Sequence, residues 1–288
     1  MTLHAASLSA LAVRRLERVV ETDAHEGPVY VADEDALYFT TVRRERVSIK
    51  RLALADRTVS VVREDSNMAN GMTLDEGGRL FICEQGKLGT PARISRLDRA
   101  SGAVETVVDA YDGLPLNSPN DVVVARDGGI WFTDPSYGWL QGFRPEPQLG
   151  DRVYRCDAAV GRLTVVADFL DKPNGLAFSR DERVLYIGDN GAPHHLLAFD
   201  VEDGVRLAGA RELAVSTPEH PDGIKVDADG RIYASFDGGI QVFAPTGSLI
   251  AEIELPGAVN FTFGGTGGEV LYVTADTAIW AATLAASG

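Results

Sequence analysis

The stretch Asn174-Gly-Leu-Ala-Phe-Ser-Arg-Asp-Glu-Arg-Val-Leu-Tyr186 reads as a polar start, a short apolar strand, a tight turn and a second strand that ends on an aromatic. The same phrase recurs at Glu26 (EGPVYVADEDALY), Asn70 (NGMTLDEGGRLF), Asn120 (NDVVVARDGGIW), Asp222 (DGIKVDADGRIY) and, with a looser turn, Asn260 (NFTFGGTGGEVLY). In every copy the opening carboxylate or amide stands eleven or twelve residues before an aromatic. Successive copies start roughly 40 to 55 residues apart, which is the period of propeller blades.

Within each copy the apolar residues alternate or run together, as in Val122-Val-Val-Ala and Ile130-Trp-Phe-Thr, with Asp-Gly or Gly-Gly between them. Glycine supplies the positive φ that a hairpin turn needs. Two further strand-like runs follow, for example Arg152-Val-Tyr-Arg-Cys then Leu163-Thr-Val-Val-Ala-Asp. Four antiparallel strands per repeat make a blade. After the hairpin of the last copy only a third strand, Ala278-Ile-Trp-Ala-Ala-Thr, follows, while a spare strand at Val13 to Val20 precedes the first copy. The expectation is therefore an all-β, six-bladed β-propeller over residues 1–288 as one domain, its last blade closed by the N-terminal strand so that no sheet edge is left open. A two-sheet sandwich is the competing fold, and six copies at blade period speak against it.

The chain has 288 residues, 45% of them hydrophobic, and a formal net charge of -15. No Lys/Arg stripe stands out, so a nucleic-acid partner is not expected, whereas an acidic body suits a cation. Cys83 and Cys156 lack C-x-x-C spacing and read as small buried hydrophobes. The apolar start HAASLSALAV is followed, not preceded, by Arg14 and Arg15, the wrong polarity for a secretory signal. No run reaches the ~20 apolar residues of a membrane span. These features predict a soluble, cytoplasmic protein with no membrane association.

In an up-and-down blade the first residue of the repeat and the loop between the second and third strands share a face. Glu26, Asn70, Asn120, Asn174, Asp222 and Asn260 are thus expected to ring the axis, surrounded by the loops at 40–46, 84–91, 134–151, 189–195 and 236–239. Converging oxygen atoms are what a hard divalent cation requires, and calcium takes six to eight of them at about 2.3–2.6 Å. Asn-Gly and Asp-Gly pairs also start turns in any protein. Glu26 has no such turn preference.

The segments Ser118-Pro-Asn-Asp, Trp131-Phe-Thr-Asp-Pro, Lys172-Pro-Asn-Gly-Leu-Ala-Phe-Ser, Asp189-Asn, Pro221-Asp-Gly and Asn260 to Gly265 resemble the gluconolactonase, regucalcin and senescence-marker-protein family, to which diisopropylfluorophosphatase is structurally similar. The similarity runs from about Glu26 to Thr274. It implies a six-bladed propeller with one catalytic divalent cation in its channel, calcium first, with zinc, manganese and magnesium as alternatives. Matched position by position, it implies Glu26, Asn174 and Asp222 as metal ligands. Asn120 falls where the family places an Asn on the substrate, a metal-bound water or the metal itself. Ser118 stands where animal regucalcins carry an Arg, and Thr41 where many relatives carry an Asp.

The resulting expectation is a metal-dependent lactonase, a carboxylic ester hydrolase that opens a small, sugar-like lactone. Asp222 is the first candidate for the base, Glu26 the second, and Asn120 a catalytic orienting group. A phosphotriester or fluorophosphate hydrolase would use the same cation in a deep apolar pocket; a non-catalytic calcium-binding propeller would have its site blocked. No G-x-S-x-G elbow is present. His194 and His195 fall on a site-facing loop and His220 precedes Pro221-Asp222, each with a packing role as the alternative, while His4 and His25 carry no distinguishable signal. The loop from Pro135 to Gly150 reads equally as a lid or substrate wall and as a packed excursion.

Overall fold

The computed structural model describes residues 13–215 and 220–284. The expectations for residues 1–12, His4 among them, lie outside these. Six four-stranded antiparallel sheets follow one another along the chain, each ordered from its innermost strand outward. Blade one is built from Val29–Val31, Ala36–Thr40, Ile49–Ala53 and Val59–Arg63. Blade two follows with Ala69–Leu74, Leu80–Glu84, Arg93–Leu97 and Val104–Val108. The innermost strands of blades three, four and five are Val122–Val124, Pro173–Phe178 and Ile224–Val226. Blade six holds Asn260–Gly264, Val270–Thr274 and Ala278–Leu284, and its fourth strand is Val13–Glu21, paired antiparallel to the third from Val13↔Leu284 to Glu21↔Ala278. Each innermost strand touches the next, and the sixth touches the first, so the sheets close into a ring. This is the six-bladed β-propeller with N-terminal closure that the repeat predicts.

The residue after the opening amide or carboxylate explains how the inner strands come so close. A Cβ built on Gly175 would lie 2.0 Å from the Asp222 carbonyl oxygen, and one on Gly223 would lie 2.2 Å from Asn260 Oδ1. Neither separation is physically accessible, so glycine is required there because each blade's inner strand packs against the next.

A second device lies two residues after the recurring aromatic of the phrase. The hydroxyls of Thr40, Thr133, Ser235 and Thr274 donate to main-chain carbonyls of the following blade, at Asn70 (3.3 Å), Asn174 (2.8 Å), Val259 (2.6 Å) and His25 (2.6 Å). In blades two and four that position holds Cys83 and Gly188, which offer no hydroxyl. The latches hold the start of each following blade in place from the blade before it.

Between neighbouring blades the two sheet faces pack into apolar clusters. Trp131 is fully buried against Leu176, Ile187 and Phe199 of the next blade and meets Phe178 edge-on at 5.5 Å. Burying an aromatic of this size removes 150–250 Å² from water, on the order of a few kcal/mol. Cys83 and Cys156 are free and buried in one such cluster, as their spacing predicts. Among the described residues no helix is long and apolar enough to cross a membrane.

Candidate active site

The six opening residues meet at one end of the ring. Glu26, Asn70, Asn120, Asn174 and Asp222 line a cavity of about 440 Å³. Asn260 does not line it but supports it from behind: its Nδ2 donates to Glu26 Oε2 at 2.7 Å, and its Oδ1 accepts the Phe261 N–H at 2.7 Å. Glu26 Oε2 also accepts the Gly27 N–H at 3.0 Å, so one carboxylate oxygen is fixed. Asn70 Nδ2 donates to the Asn120 carbonyl at 3.1 Å, and the Gly71 N–H donates to the same oxygen at 2.8 Å, tying blade two to blade three beside the cavity.

The electrostatics are those of a site short of positive charge. Burial, then the adjoining Glu26 carboxylate, raises the Asp222 carboxyl well above its ordinary value, and Asn174 opposes this by hydrogen bonding to it. Two carboxyls can share a hydrogen bond only when a proton lies between them. Asn120 Oδ1 is buried without a partner, and so is Oδ2 of the neighbouring Asp121. An orphaned buried acceptor costs about 1–3 kcal/mol. Among the described residues no group of three or more His, Cys, Asp or Glu side chains is arranged to hold a metal by itself; the donors that line the cavity are two carboxylates and neutral amides. The set supplies hard oxygen donors, with one amide oxygen unpartnered and two carboxyls crowded together, and so it fits a hard divalent cation.

Asp121, the residue after Asn120, leads into the strand Val122–Val124 and is buried. Its Oδ1 accepts the Val122 N–H at 2.9 Å, and it is fully enclosed close to Glu26. Burial raises its carboxyl, and the charge of Lys225 partly offsets the rise.

The acids that end the second strands hold the loops around this floor. Asp134 accepts the N–H groups of Asn117 (2.9 Å) and Ser118 (2.8 Å), fixing the segment that leads into Asn120; burial pushes its carboxyl up to about 7 against those two donors. Asp189 likewise accepts from Asp171 and Gly191, both at 3.1 Å. Glu84 receives Arg63 (2.6 Å), Arg93 (2.7 Å), Ser95 (2.7 Å) and Asn67 (3.1 Å), a fully satisfied buried carboxylate.

The long loop of blade three is pinned. It opens with the helical turn Tyr137–Leu140, and the Gly138 N–H donates to Ser118 Oγ at 2.9 Å. The buried Arg144 guanidinium donates to the carbonyls of Asn117, Thr90 and Leu116 at 3.0–3.1 Å. Tyr137 and Gln141 line the cavity, whereas Trp139 and Leu140 are exposed. The loop is a fixed wall, so the wall and packing readings both hold parts of the truth.

His25 is the residue that sequence reasoning passed over. It lines the cavity immediately before Glu26, and its Nδ1 lies 2.6 Å from Asp276 Oδ1. Burial opposes its charge, but the bond to Asp276 and the nearby Glu26 carboxylate hold its pKa above the ordinary value. Its position one residue before a ring residue was the available signal. His194 and His195 do not line this cavity: His194 packs on His220 with ring centroids 4.1 Å apart, and His195 lies between Asp189 and Glu212. His220, with Asp222, lines an adjoining cavity of about 380 Å³.

Comparison with known proteins agrees with this architecture. A gluconolactonase of Zymomonas mobilis is 29% identical over 277 residues, covering 87% of this chain and 75% of the relative. A pentonolactonase of Haloferax volcanii is 29% identical over 268 residues, covering 89% of this chain and 84% of the relative. The solved structure of a gluconolactonase from Xanthomonas campestris superposes with a TM-score of 0.87 at 35% identity, covering 98% of this chain and 93% of that one. Residues 24–277 match the sequence family described as SMP-30/Gluconolactonase/LRE-like region, and the protein belongs to that family.

Proposed function

We propose that this protein is a gluconolactonase-like lactone hydrolase that holds one divalent cation in the cavity at the ring axis. The observation that carries the reading is the convergence of oxygen donors from four blades, Glu26, Asn120, Asn174 and Asp222, around one open cavity, with Asn120 Oδ1 unpartnered and the Glu26 and Asp222 carboxyls crowded together. These residues would hold the cation, with calcium suited to so irregular a set of carboxylate and amide oxygens. When bound, it would polarise a carbonyl or phosphoryl oxygen as a Lewis acid.

This chain's own residues supply the remaining chemistry. Asp222, with Glu26 as its alternate, accepts a proton from water at a carboxylate oxygen while the water oxygen bonds to the lactone carbonyl carbon. The bond between that carbon and the ring oxygen then breaks, and the proton passes to the departing oxygen as it becomes the alcohol of the hydroxy acid. Asn120 Oδ1, free of protein partners, orients the water or the substrate. Ser118, Asn117 and Asp134 fix the approach to Asn120 so that this geometry is set before substrate arrives.

The polar lining favours a hydroxylated lactone over an apolar phosphotriester, and the 440 Å³ of open space disfavours a blocked, non-catalytic site. The free, buried thiols of Cys83 and Cys156 accord with a reducing, cytoplasmic setting.

Steady-state hydrolysis of glucono-δ-lactone, corrected for spontaneous ring opening, tests the reading. Activity is expected to vanish with a chelator and return with calcium or manganese. Asp222→Asn at saturating cation should lose at least about 100-fold in kcat, the scale of a lost general base. Near wild-type turnover of that variant would pass the proton to Glu26, and full activity in the stripped protein would remove the cation from the reaction.

A further inference from the structure

Arg43 is, among the described residues, the one permanently charged cation that lines the cavity. It stands in the blade-one loop between Ala36–Thr40 and Ile49–Ala53. Its guanidinium carbon lies 4.7 Å from the centre of the Phe143 ring, and its Nη1 donates to Gln141 Oε1. Gln141 lines the same cavity, and both partners belong to the wall that Arg144 pins by its three carbonyl bonds. Stacking on an aromatic face and a single amide bond hold a guanidinium in place while most of its five N–H donors stay available. No carboxylate pairs with Arg43 among the described residues, although acidic groups outnumber basic ones, 42 to 27, across the chain. A cation left unneutralised in an acidic protein, yet held on two sides, is placed to receive oxygen atoms of a ligand.

We propose that Arg43 is a specificity-determining residue, whose guanidinium binds the hydroxyl oxygens of the substrate remote from the carbonyl, so that the site selects polyhydroxylated lactones over the bare ring. The proposal rests on the reading of the cavity as a lactone-hydrolysing site. Phe143 and Gln141 act through Arg43, by holding it against the wall. Arg43 lies on the exposed part of the cavity lining, and a charge-assisted bond from its guanidinium to a hydroxyl discriminates by roughly tenfold against a substrate that lacks the hydroxyl.

The experiment compares kcat/KM for glucono-δ-lactone and δ-valerolactone in the wild-type chain, Arg43→Met, Arg43→Lys and Gln141→Leu. The ratio of the two constants is the readout, because a merely structural loss would lower both together. Arg43→Met should reduce the ratio by about tenfold, carried mainly by KM for the hydroxylated lactone. Arg43→Lys should recover part of it, and Gln141→Leu should move it the same way by less. A ratio in Arg43→Met within about twofold of wild type overturns the proposal while leaving lactone hydrolysis intact. A wild-type protein that opens neither lactone overturns the reading of the cavity itself.

Discussion

Glu26 and Asp222 come from blades one and five, yet their carboxyls lie within hydrogen-bonding range of one another, with Asn174 bonded to Asp222. Each is close enough to the other for its charge to be costly, and this produces a linked pH and cation dependence. Because burial and Glu26 raise Asp222, its carboxyl keeps its proton above the ordinary carboxylate range, and a cation must displace that proton to bind. Calorimetric titration of chelator-stripped protein with calcium should therefore show affinity that rises with pH, together with proton release. Glu26→Gln or Asp222→Asn should each weaken binding by about tenfold or more, since each removes one ligand charge. Asn120→Ala should weaken it less, because an amide brings no charge. Unchanged affinity in both charge variants would show that the cation binds elsewhere. The ring residues were legible in the sequence because each stands eleven or twelve residues before an aromatic in its own copy. His25 and Arg43 were not, because no other copy carries a His or an Arg at that place and their roles exist only once the blades have met.

Asp134 ends the second strand of blade three, and its two bonds to the Asn117 and Ser118 N–H groups make the path into Asn120 a rigid element. Its carboxyl, pushed up from an ordinary 3.8 to about 7, sets the sign of its pH effect. A raised folded-state pKa stabilises the fold fully below the unfolded value, and that contribution is lost as pH climbs through the folded one. Stability should thus fall between about pH 4 and about pH 7 and level off above, by an amount on the order of a few kcal/mol. Urea unfolding at about pH 5 and about pH 7.5 should show a clear drop in wild type and a shallower one in Asp134→Asn. That variant should also be less stable at acid pH, because an amide offers one acceptor oxygen where two N–H groups wait. Parallel pH dependences would show that other groups carry the titration. The sequence placed Asp134 at the start of a loop on the site face, 134–151. It left the loop after it open between a wall and a packed excursion, because that aromatic-rich loop is held by one buried guanidinium bonded to carbonyls of Thr90, Leu116 and Asn117, well before it in sequence.

Across the whole molecule, blade count and closure were the most legible features, for a physical reason. A blade one strand short would bare the edge of its third strand, so a last repeat one strand short and a spare strand before the first repeat imply each other. The hydroxyl latches and the close approach at Gly175 and Gly223 could not be read, because they depend on the spacing between blades rather than on any one of them. Val13–Glu21 pairs along the length of Ala278–Leu284, and Val19 is buried against blades one and six. Among the described residues this is the one sheet that joins distant chain segments; every other blade folds from consecutive strands. Val19→Ala should then cost about 1.5 kcal/mol, the transfer energy of two buried methylene equivalents. Deleting residues 1–22 should do far more, because it bares the hydrogen-bonding edge of Ala278–Leu284 and a strip of the cluster containing Ile279 and Ala281. Size-exclusion chromatography and thermal melting should report aggregation or a fall in Tm much larger than that of Val19→Ala. A truncated chain that stays monomeric with an unchanged Tm would mean that the other five blades and the latches between them hold the ring without its clasp.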